Sequence, residues 1–158
     1  PRFDGYDASP SYFIFGGLVF TRLSTPFFQE YLSAEHNRLH VPELVFETLR
    51  KWRARPEEEV VVLARVLRHP VNEGVQPSLV RIVERVNDAP VANLGDLVGK
   101  TLDAAASGRP FVALSFRAHA TGAGRAAGEV GSPDDSRDMW TEVLNATEAL
   151  AANRDILA

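Results

Sequence analysis

The chain has 158 residues, 45% hydrophobic and 24% charged, a composition that fits one folded domain with or without an appendage and excludes disordered, collagen-like and coiled-coil readings. Lys and Arg number 17 against 21 for Asp and Glu, and the net charge of −4 supplies no basic surplus for nucleic acid or anionic lipid. The absence of cysteine excludes disulfides, thiolate nucleophiles and Cys-ligated zinc, and no apolar run approaches the roughly 20 residues that span a bilayer.

Residues 1–10 read as a linker from an upstream region, and they do not have the basic-then-apolar start of a signal peptide. From Phe13 to Leu23 the run FIFGGLVFTRL is aromatic and β-branched around Gly16-Gly17, which predicts a strand, a glycine turn and a second strand. A helix follows, with Ser24 or Thr25 as N-cap and Pro26 in its first turn, where a missing N–H costs nothing. Leu44, Val45, Thr48, Leu49 and Trp52 have helical spacing, and Pro56 ends that pattern. Glu59 to Leu67 is apolar on both faces and too short for a typical helix, so it reads as a buried strand.

Ser78 to Val86 fits either period; its β-branched content and the Asn87-Asp88 turn decide for a strand. Asn93 caps a helix to about Ala106, with Asp96 in its first turn and Leu94, Leu97, Val98, Thr101, Leu102 and Ala105 as the apolar stripe. After Gly108-Arg-Pro, Phe111 to Phe116 alternates as a strand does, and residues 119–138, rich in glycine from 121 on, read as a flexible loop. A last helix is expected from Met139 to about Leu150, presenting Trp140, Val143, Leu144, Thr147 and Leu150. There is no internal repeat, so a small β domain with packed helices remains.

Catalytic chemistry has little to stand on. No G-x-S-x-G is present, and the histidines at 36, 40, 69 and 119 assemble no triad by motif. His36 and His40 are four apart but lack the Glu of H-E-x-x-H, so they read as surface residues, and Gly16-Gly17 sits in no phosphate loop. The basic cluster of Arg50, Lys51, Arg53 and Arg55 runs straight into Glu57 to Glu59, as a solvated helix end does, and Trp52 and Trp140 read as packing residues. The constellation with more content is Gly17-Leu18-Val19-Phe20. A glycine turn entering a strand aims successive N–H groups at one anion, and Leu18 and Phe20 share a face. If the helix carrying Leu94, Val98, Thr101 and Leu102 lies alongside, the gap is a groove for an extended peptide carboxylate. The same residues also suit an ordinary glycine bend in a core hairpin.

Three blocks carry a family resemblance: PSYFIFGGLVFTRLS from Pro10, EVVVLARVLRHPVNEGV from Glu59, and IVERVNDAPVANLGDL from Ile82. In order and spacing they resemble a PDZ domain of the Do-like (HtrA/Deg) serine proteases, most closely the C-terminal PDZ type of plant Deg proteases and their bacterial relatives. The tail from Ala146 also resembles the segment that follows this PDZ. The resemblance implies an α+β fold, a small, partly open β-barrel or sandwich flanked by helices with a C-terminal helical extension. Residues 11–118 would form the PDZ-like domain, and 139–158 a helical segment after the 119–138 loop. Gly17, Leu18, Val19, Phe20 and Thr21, with Leu94, Val98 and Leu102, would bind extended or C-terminal peptides by strand addition. Val19 and Asp88 stand where the family usually has glycine, and a β-branched Val19 stiffens the carboxylate loop. The alternative is therefore a structural PDZ with a closed or self-occupied groove that assembles a protease oligomer. On either reading the chain has no catalytic residue, metal or cofactor of its own. Its implied partners are peptide or unfolded-protein segments, a protease domain of the same chain and further copies in a homo-oligomer; the sequence leaves the compartment open among bacterial periplasm, cytoplasm and a plant organelle.

Overall fold

The computed structural model describes residues 11–33, 55–75, 80–117 and 139–157. The linker at 1–10, the helix expected over 44–52, His36, His40 and the stretch 121–138 lie outside the described residues. Strand β1 (Tyr12–Phe15) turns through Gly16-Gly17 into β2 (Leu18–Arg22), and helix α1 (Thr25–Ser33) follows, its first turn capped by Ser24 Oγ accepting from the Phe27 N–H at 3.3 Å. Next come β3 (Val61–Val66), a single 3-10 turn (Pro70–Asn72), β4 (Arg81–Val86) and the two-residue β5 (Ala89–Pro90). Helix α2 (Leu94–Ala106), β6 (Phe111–Arg117), β7 (Met139–Asn145) and helix α3 (Ala146–Leu157) complete the order.

The fold is α+β with PDZ-like architecture. Its antiparallel sheet is ordered β1-β2-β3-β4-β6-β7, with β5 paired to β4 off the main path, and it does not close. The main core lies on one face, where Phe15, Leu18, Phe20, Leu63, Val83, Leu114, Phe116 and Leu144 meet Leu97 of α2 and Ala149 of α3. A smaller cluster of Val62, Val80 and Ile82 gathers Leu23, Val60 and Phe27 of α1. Successive residues of β3 thus enter different clusters, which is why the Glu59 to Leu67 run is apolar without alternation. Removing one of the large buried rings, such as Phe20 or Phe116, is expected to cost about 3–5 kcal/mol.

Helix α2 forms as its cap predicts, with Asn93 Oδ1 accepting from the Asp96 N–H at 2.8 Å. The segment from Met139 departs from expectation. Residues 139–145 are a strand in full register with β6, from Phe111 opposite Asn145 to Arg117 opposite Met139, and the helix begins only at Ala146. The boundary has a local cause: Asn145 Oδ1 accepts from the N–H groups of Thr147 and Glu148, both at 3.1 Å, as an N-cap does. The apolar spacing that suggested a helix from Met139 is not a core stripe, since Trp140 and Val143 are 51% and 57% exposed while Leu144 is buried. Trp140 is accordingly no core residue. Its indole donates to Glu142 at 2.7 Å and its ring lies 5.4 Å from the Arg81 guanidinium, which itself pairs with Glu142 at 3.2 Å.

Candidate functional site

A peptide site on β2 requires one free edge, because strand addition works through unpaired backbone groups. Strand β2 pairs antiparallel with β1 on one side, Phe15 opposite Leu18 and Phe13 opposite Phe20, and with β3 on the other, Leu18 opposite Val66 and Arg22 opposite Val61. The cause is the turn. Gly16 and Gly17 have φ of 57° and 81°, and this pair of left-handed residues gives the two-residue hairpin whose twist keeps β1 on β2. β1 runs antiparallel to β2 and ends at the glycine turn, with Phe15 opposite Leu18. Phe13 stacks on Phe20 with ring centroids 6.3 Å apart and on Phe15 at 6.5 Å, and α2 packs against both β1 and β2.

The eight expected site residues are distributed accordingly. Leu18 and Phe20 are fully buried in the main core and Leu94 joins them there. Gly17 is buried in the turn, and its carbonyl accepts from the Leu67 N–H at 2.7 Å. Val19 is half-buried, and the Thr21 hydroxyl donates to the Ser11 carbonyl at 2.8 Å. Of α2, Leu94, Leu97 and Thr101 face inward, whereas Val98 is half-buried and Leu102 is 43% exposed.

The turn is held by two asparagines that no local pattern singles out. Asn72, 5% exposed, donates through Nδ2 to the carbonyls of Gly16 at 2.7 Å and Leu67 at 2.8 Å, while its Oδ1 accepts from the His69 N–H at 3.1 Å. Asn153 of α3 accepts from the Gly16 N–H at 2.9 Å and donates to the Ile14 carbonyl at 2.8 Å. Asn72 lies in the HPVNEGV loop that carried part of the family resemblance, and the structure gives that loop a task at the glycine turn. A cue to Asn153 exists only in hindsight, as a polar residue among the buried Ala146, Ala149 and Ala152 of α3.

At the other end of the strand, Glu59 ties β2 to α2: one carboxylate oxygen pairs with Arg22 at 3.4 Å and the other accepts from the Leu94 N–H at 3.2 Å. Asp96 accepts from the Ala92 N–H at 2.9 Å and from Lys100, which also donates to the Pro90 carbonyl at 2.6 Å. Burial would raise the Asp96 carboxyl, but the Lys100 and Ala92 hydrogen bonds and the Lys100 charge outweigh it and hold the group below its ordinary 3.8. Among the described residues no cluster of three metal-ligating side chains occurs, and no helix is long and apolar enough to cross a membrane.

Comparison with known proteins agrees with this architecture. The family model of the PDZ domain matches residues 1–158. A 92-residue stretch, 58% of this chain, is 33% identical to the mitochondrial protease Do-like 3 of Arabidopsis thaliana, and it covers 14% of that protein's length.

Proposed function

The chain belongs to the PDZ domain family, and we propose that it serves a Do-like serine endopeptidase as a non-catalytic structural module whose ligand groove is filled by its own β1. The observation that carries this reading is the pairing of β2 on both sides, by β1 and by β3. An incoming peptide would have to displace β1, removing Phe15 from the core and breaking the Phe13–Phe20 stack. Burying a Phe side chain contributes about 1.5–3 kcal/mol, as much as one charge-assisted hydrogen bond, so losing Phe15 together with the β1–β2 pairing offsets much of what a peptide carboxylate returns. The module's contribution is then to join domains or subunits of the parent, with the protease domain and further copies as its partners.

Titration with a library of C-terminal peptides by fluorescence anisotropy tests the groove. No carboxylate-dependent binding is expected. A peptide that binds, loses affinity on amidation and loses it again in Val98→Asp would restore the reading in which Gly17 to Thr21, Leu94, Val98 and Leu102 form an open site. For the joining role, deleting residues 11–157 from the full-length parent should lower the number of subunits per oligomer, taken as the light-scattering mass divided by the mass of the shortened chain. An unchanged subunit number would remove that role and leave the filled groove standing.

A further inference from the structure

With β1 on β2, the question of a free edge moves to the outer side of β1. In a two-residue hairpin the residues flanking the turn exchange backbone bonds, so the N–H and C=O of Ile14, one step away, point away from β2. The Ile14 carbonyl and the Gly16 N–H on that outer side are both taken by one group, the Asn153 carboxamide. An acceptor at one residue and a donor two residues on are what a single residue of a neighbouring parallel strand satisfies with its own N–H and C=O. The Asn153 side chain therefore occupies the place of a one-residue strand.

Edges of sheets are ordinarily protected by charge, proline, bulges or a covering element. Ser11 to Phe15 contains neither a charged residue nor a proline, and Tyr12 is 64% exposed. The covering element is α3. Its buried Ala149 and Ala152 let it approach closely: a Cβ on Gly16 would lie 3.1 Å from the Ala149 Cβ. We propose that α3 is an edge guard, acting through Asn153, and that the outer edge of β1, once released from α3, pairs with the same edge of a second copy. The second copy is the fitting occupant because Tyr12-Phe13-Ile14-Phe15 set antiparallel to itself opposes no like charges and places aromatic and β-branched residues across from one another. This inference rests on the β1–β2 hairpin and not on the joining role in the parent protease.

The test combines hydrogen exchange with light scattering on the isolated chain. Asn153→Leu should speed exchange of the Gly16 amide by about tenfold, with the amides of Val62 and Leu63 as the control for global folding. The same variant should gain mass toward a dimer with rising concentration, beyond anything the unsubstituted chain shows. Adding Ile14→Pro, which removes an outward N–H and leaves the bonds to β2 intact, should return the mass to that of the unsubstituted chain. Asn153→Asp keeps the acceptor for Gly16 and loses the donor to Ile14, so it should give a smaller change of the same sign, and it carries the test if the Leu variant does not fold. Unchanged Gly16 exchange would overturn the guard. Faster exchange with no gain in mass would overturn the second-copy edge, even if an added extended peptide were found to bind there.

Discussion

Two hairpins in this sheet use the same left-handed turn with different residues. Gly16-Gly17 joins β1 to β2, and Asn87-Asp88, with φ of 45° and 68°, joins β4 to β5. The second turn is at the surface, where Asn87 completes its own hydrogen bonds: its N–H donates to the Ala113 carbonyl and its Oδ1 accepts from the Ala113 N–H, both at 2.8 Å. Asp88 is exposed and has room for a side chain. The first turn is buried under α3 and the 3-10 turn. A Cβ on Gly17 would collide with Asn72 Nδ2 and the Leu67 carbonyl, and one on Gly16 would sit 2.9 Å from Leu144 Cδ1. Positive φ alone therefore does not demand glycine here. Burial does.

The largest test of that contrast is Gly17→Ala, which adds backbone strain to a clash with a carbonyl and should cost about 4 kcal/mol in chemical denaturation. The matched change Asp88→Ala should cost about 1 kcal/mol, since only the left-handed conformation is penalised. Equal losses would show that conformation, not space, separates the two turns. Next in size, Asn72→Ala should cost about 2–3 kcal/mol by leaving the Gly16 and Leu67 carbonyls and the His69 N–H without partners. In the exposed turn, Asp88→Gly should raise stability by about 0.5 kcal/mol, read as a small gain in Tm, because glycine relieves strain there at little cost. The smallest effect concerns the anchor beside the exposed turn. The depressed carboxyl of Asp96 contributes stability above its unfolded value of 3.8, and that contribution fades as pH falls from 3.8 through the lower folded value. Asp96→Asn should flatten the stability curve in that acid window and leave its slope near neutrality unchanged.

What could be read from the sequence follows the range of the interactions. Helix α2 was legible because Asn93 and Asp96 are three apart, and β3 because its apolar run had no helical length. The Gly16-Gly17 hairpin was legible as well, but whether β1 fills one edge of β2 was not, because Gly17-Leu18-Val19-Phe20, the match to the family's carboxylate loop, suits an open edge as well as a core hairpin. Strand β7 was obscured because Trp140, Val143, Leu144 and Thr147 satisfy the helical period while Trp140, Thr141 and Val143 also suit a strand. Only pairing with β6 decides between them. The clasp of Asn72 and Asn153 could not be read at all, since each asparagine meets Gly16 from a distant part of the chain and nothing adjacent marks either one.

The Arg81–Glu142 pair has a role that follows from the connection between β6 and β7. Tight two-residue turns set the alignment of β1 with β2 and of β4 with β5, whereas β6 and β7 are separated in the chain by residues 118–138, a separation that no two-residue turn spans. A slip of one residue would carry Glu142 to the opposite side of the sheet and leave Arg81, only 10% exposed in its side chain, as a buried cation without its carboxylate. The pair thus acts as a key for strand alignment. It contributes little attraction that a hydrophobic pair could not replace, yet it penalises every misaligned sheet that the long connection would otherwise permit.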